Sequence, residues 1–156
     1  MATLLETLET TCGELSQKCR FVYADLDEAN ATIFDQIGSG SFPVCLVLPF
    51  DINDTGRDGP RVRSSAEVNA LFLDQIPQAT VDKPTTEIES KVIAPMRAAA
   101  REFCNRLETT DIIEEDGITS SLNRSVHQAM MDSHLYGCWA VFTIKFSEDI
   151  NTHICD

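Results

Sequence analysis

The stretch CWAVFTIKF, residues 138–146, constrains this chain more than any other segment. In an extended strand successive side chains point to opposite faces. Cys138, Ala140, Phe142, Ile144 and Phe146 then share one face, and Trp139, Val141, Thr143 and Lys145 the other. The first face calls for a helix packed on it. The second starts with Trp139 and Val141 and is too apolar there for open water. It needs a further layer, either the N-terminal helix of the same chain or a neighbouring subunit. Trp139 and Val141 are therefore the candidate interface residues.

The partner for the first face is the segment TEIESKVIAPMRAAAREFCNRL, residues 86–107. Ile88, Val92, Met96, Ala99, Phe103 and Leu107 form one helical stripe. Glu89 lies at capping-box distance from Thr86, and Pro95 removes an internal hydrogen bond and predicts a kink. Phe103 and Phe142 are expected to meet in the core. A second stripe, Leu4, Leu5, Leu8, Cys12, Leu15 and Cys19, predicts an N-terminal helix over residues 3–20, weakened at Gly13.

Between these segments, FPVCLVLPF (42–50) is a continuous apolar run bounded by prolines and predicts a buried strand. GSGS at 38–41 is a flexible joint. DINDTGRDGP (51–60) reads as a loop on its turn residues. Residues 61–76 predict a second strand, and 118–131 a polar third strand after the acidic turn DIIEEDG. The C-terminal strand is the fourth, and residues 147–156 form a tail. The expected fold is a single α+β domain over residues 1–156. Its mostly antiparallel sheet of about four strands packs against a long central helix and the N-terminal helix.

Charge narrows the function classes. The chain of 156 residues has a net charge of −13, with −7 in residues 1–60, balance in 61–110, and −6 in 111–156. Sequence-independent binding to duplex DNA needs a basic face, so that function is not expected. Asp51, Asp54 and Asp58 make the loop at 51–58 a candidate acidic surface. No hydrophobic run reaches the ~20 residues of a membrane span. MATLLETLETTCGEL has neither the basic nor the compact apolar part of a signal peptide. The six cysteines are accordingly expected as reduced, packed thiols.

No catalytic, cofactor or metal site is expected. His127, His134 and His153 lack the companions and spacing of a metal site, and no CxxC, HExxH or HxH is present. Cys104 lies near Arg101 and Arg106, but a nucleophile needs a base beside it. Glu114, Glu115 and Asp116 are consecutive in a turn, where solvated charge is the default. GSGS and TGRDG lack the strand-to-helix context of a phosphate loop.

Three pieces together resemble the tail terminator, tail-completion and neck ring proteins of tailed bacteriophages. One is an N-terminal helix followed by Phe21, Asp25 and Asn30, leading to the strand that starts Phe42-Pro43 and ends Leu48-Pro49-Phe50. Another is the long helix at 86–107. The third is Asp132-x-x-Leu135-x-Gly137 leading into the C-terminal strand, where it would turn the chain into the sheet. The insertion at 38–41 and the ending Ile154-Cys155-Asp156 have no counterpart in that pattern. The resemblance implies a virion structural protein without enzymatic activity. It would be a homo-oligomeric ring of about six or twelve copies at the head–tail connector, neck or tail end. It would be assembled in the host cytoplasm and dock other neck, portal or tail proteins, while DNA passes through without specific binding. The residues alone also allow a small cytosolic binding or regulatory module.

Overall fold

The computed structural model describes residues 3–29, 43–75, 85–130 and 135–149. Its elements are α1 (Leu4–Gly13), β1 (Arg20–Tyr23), α2 (Leu26–Glu28), β2 (Val44–Val47), β3 (Ile52–Asp58) and β4 (Arg61–Gln75). A three-part helix follows: α3 (Thr85–Ile88), a π turn (Glu89–Ile93) and α4 (Ala94–Glu108). Two long strands, β5 (Ile113–Met130) and β6 (Leu135–Asp149), complete it.

The expectation of a mostly antiparallel sheet of about four strands packed against a long central helix and the N-terminal helix is overturned. Among the described residues six strands form one mixed sheet in the order β1-β2-β4-β6-β5, with β3 also paired to β4. The β1–β2 pair is parallel and the other pairings are antiparallel. Nor is the long helix central, because its apolar stripe faces one side only. Met96, Ala99, Ala100, Phe103 and Leu107 are buried while Arg101 and Arg106 are exposed. It lies with α1 on one face of the sheet, here the inner face.

Two strands are additional to the four expected, for different reasons. β1, Arg20-Phe21-Val22-Tyr23, is too short to show a period. β3 occupies the segment read as a loop, because its Asp, Asn and Gly residues are turn formers. Its backbone nonetheless pairs with β4 from Ile52↔Ala66 to Asp58↔Arg61, with a bulge between Asp54 and Gly56. Only Gly59-Pro60 is left as the turn, with Gly59 at φ +62°.

The N-terminal helix is shorter than the expected 3–20. Thr3 and Glu6 form a reciprocal capping box, with Thr3 Oγ1 accepting from the Glu6 amide at 3.2 Å and Glu6 Oε2 accepting from the Thr3 amide at 3.1 Å. The helix stops at Gly13. Beyond it, the Ser16 amide donates to both carboxylate oxygens of Glu102, at 2.9 and 3.1 Å, which ties the exit segment to α4. Cys19 is thus off the helix, although its carbonyl still accepts from the Cys12 thiol at 3.4 Å.

Pro95 acts upstream of itself. It has no N–H, and in α geometry its ring would collide with the Lys91 carbonyl. The chain widens to the π turn at Glu89–Ile93 just before it, a common way to absorb such a defect.

The inner face carries Cys138, Ala140, Phe142, Ile144 and Phe146 from β6, together with Val68, Ala70 and Phe72 from β4. Phe103 from α4 sits between two rings, 5.4 Å from Phe72 and 6.0 Å from Phe142 between centroids. Gly137 does not turn the chain into the sheet. It is already inside β6, opposite Leu73 and Val126. A Cβ there would lie 1.9 Å from the Phe72 carbonyl oxygen, so only glycine permits this approach. Asp132, Asn30 and the joint 38–41 lie outside the described residues.

Candidate functional site

The outer face of the sheet has two halves. At one end Val44, Leu46, Leu71, Leu73 and Leu135 form a buried cluster with Ala24 and Ala29, and Leu26, Leu48 and Trp139 pack against it. Trp139 is half-buried, and its indole N–H donates to the Asn69 side-chain oxygen at 3.1 Å. Val141 is buried at 9% exposure. The two candidate interface residues thus share one face, as alternation requires. Val141 is covered within the chain, and Trp139 keeps part of its ring accessible beside the exposed Arg124, its register partner in β5.

The other half of that face is polar, with exposed Arg63, Glu67, Lys145 and Thr119. Next to it runs the acidic segment. Asp51 and Asp54 are exposed, the former just before β3 and the latter within it. Asp54 Oδ1 accepts from the buried Ser64 hydroxyl at 2.9 Å. Asp58 closes β3 opposite Arg61 in backbone register. The three aspartates therefore lie along one hairpin arm.

The segment read as an acidic turn enters β5 as a wide bulge. Ile113 pairs with Phe146 and Ile118 with Ile144, so four residues, Glu114 to Gly117, project between two adjacent pairing positions on that face. Asp116 takes φ 53° there. Gly117 is pressed against the Lys145 carbonyl, 2.6 Å from where a Cβ would stand.

The tail expected from residue 147 begins later, because β6 runs to Asp149. Glu148, which the sequence reading left in that tail, is buried at 1% exposure, and its Oε1 accepts from the Leu4 amide at 2.9 Å. Alternation carried two steps past Phe146 would have put it on the inner face.

Cys12, Cys19, Cys45, Cys104 and Cys138 are free thiols. Burial pushes Cys19 up to about 12 and Cys138 up to about 11. The hydrogen bond between the Cys12 and Cys45 thiols holds Cys12 below its usual value and raises Cys45. Burial likewise raises Cys104, which opposes thiolate formation beside Arg101 and Arg106. Among the described residues no three His, Cys, Asp or Glu side chains are arranged to hold a metal ion. His134, His153 and Cys155 lie outside them, as does the His127 side chain. No helix among the described residues is long and apolar enough to cross a membrane.

No protein-family model matches this chain, and no curated protein matches it.

Proposed function

We propose that the chain is a virion structural subunit, forming a homo-oligomeric ring at the neck, head–tail connector or tail end of a tailed phage. The observation that carries this reading is the place of β5 at the edge of the sheet among the described residues. The strand is 18 residues long, stands at the edge of the sheet order, and among the described residues pairs only with β6. A long edge strand is a template for contact with another chain. Its three register shifts break the flat ladder, which disfavours open-ended strand addition and favours a fixed side-chain contact between copies.

Arg124 on β5 and, beside it on the outer face, the exposed part of Trp139 on β6 form the subunit contact in this reading. Asp51, Asp54 and Asp58 face the channel or an axial partner. Their charge, within a total of −13, lets a phosphate backbone slide past instead of binding.

Light scattering on size-separated material tests the contact. The native chain should give one defined large species, while Trp139→Asp or Arg124→Glu should give a folded, smaller one. An assembly indifferent to both substitutions would overturn this contact, and a native chain that stays monomeric or dimeric would favour the small binding module instead.

A further inference from the structure

Beside the β3–β4 hairpin lies a cavity of about 360 Å³ whose lining includes Arg57, Arg63, Lys145, Ser64, Ser65 and Glu114. Three cations from three strands converge there, in a chain with only 12 basic residues against 25 acidic. The strand pairing brings them together. Ser65 is opposite Lys145 across β4–β6, and Gly56 is opposite Arg63 across β3–β4, just past the β3 bulge. Arg57 and Lys145 are exposed and make no ion pair among the described residues.

The lining already shows which anion suits it. Glu114, projecting from the β5 bulge, places a carboxylate 3.9 Å from the Arg63 guanidinium, a loose and half-solvated contact. The nearby Ser64 hydroxyl is committed to the Asp54 carboxylate. Among the described lining residues Glu114 is the one carboxylate beside three cations. The chain's overall negative charge opposes a long polyanion such as DNA more strongly than a short acidic segment. Arginine's planar fork takes a carboxylate or a phosphate in two-point contact, and the anion already beside Arg63 is the Glu114 carboxylate.

We propose that this cavity is a docking site for an acidic peptide segment, whose carboxylates bind Arg57, Arg63 and Lys145. The site stands whether or not the chain forms a ring.

Titration calorimetry and amide shift mapping with a hexaglutamate peptide test it, with inorganic phosphate and a short DNA oligonucleotide as competing probes. The peptide should bind at low salt and shift the amides of Gly56, Arg63, Ser65 and Lys145. The double substitution Arg57→Gln with Lys145→Gln should weaken it about tenfold or more, while Lys91→Gln with Arg106→Gln, remote from the cavity, should leave it unchanged. Both altered pairs are exposed, so melting midpoints should hold. Should the first double variant melt early, Arg63→Gln alone should reproduce the weakening. No binding, or equal binding to the cavity variants, overturns the site. Tighter binding of phosphate or DNA than of the peptide overturns the assignment to an acidic peptide.

Discussion

The Leu4 amide donates to Glu148 Oε1 at 2.9 Å across 144 residues of sequence, joining the start of α1 to the end of β6. The carboxylate is buried where the first N–H groups of a helix lack intrahelical partners and favour negative charge. Hydrogen bonds to charged groups contribute about 1.5–3 kcal/mol, and a buried donor left unmet costs a similar amount. Glu148→Ala should therefore lower stability by about 1.5–3 kcal/mol, read as an earlier urea midpoint. An unchanged midpoint would mean that α1 is held by its apolar face alone.

Phe103 is the ring on which the inner layer closes, since it meets Phe72 from β4 and Phe142 from β6. All three are buried at 1% exposure or less. Phe103→Ala should cost about 3–5 kcal/mol, and thermal unfolding would measure it. A loss below about 1 kcal/mol, far under that range, would show that the helix can shift to refill the space.

Two glycine-to-alanine substitutions should act in opposite directions. At Gly137 the added methyl meets the Phe72 carbonyl at 1.9 Å. The β4–β6 ladder would have to open, at a cost of about 3 kcal/mol or more. At Gly13, the last residue of α1, nothing lies within 4 Å of the new Cβ. Gly13→Ala should stabilise by about 0.4–1 kcal/mol through the unfolded chain. Matched denaturation curves of the two variants would show both signs.

The thiols predict an alkaline limit. Cys19 and Cys138 start from an ordinary value of 9.0 and are pushed by burial to about 12 and about 11. The folded state keeps these protons where the unfolded chain has lost them. Their contribution is thus complete below pH 9.0 and is lost as pH rises through the folded values. Thiolate absorbance should show these two groups titrating late in the native protein and near pH 9 in urea. Cys19→Ala with Cys138→Ala should make the alkaline loss of stability shallower.

The parts legible in the sequence are those where side-chain pattern and backbone agree. Alternation from Cys138 to Phe146 named the inner face, and the helical stripe named Phe103. The parts missed were decided by backbone pairing or by distant partners. β3 is held by main-chain bonds to β4 that its turn-forming residues do not advertise. The path of the chain beyond α1 is tied to Glu102, far along the sequence, which captures the Ser16 amide. That same bond lowers the Glu102 carboxyl below its ordinary value. The cationic cavity joins β3, β4, β5 and β6, and no local motif records a meeting of that kind. Trp139 was singled out, with Val141, as the apolar start of a face that turns polar at Thr143 and Lys145. Its bond to Asn69 depends on strand register and could not be seen beforehand.

The mass of the native assembly tests the central proposal most directly. Native mass spectrometry of the purified chain, over a range of protein and salt concentrations, would count the subunits. A ring subunit should give a single closed oligomer, a fixed whole multiple of the 17.3 kDa chain, which Arg124→Glu at the β5 edge breaks down. A native chain that remains monomeric or dimeric throughout would contradict the ring.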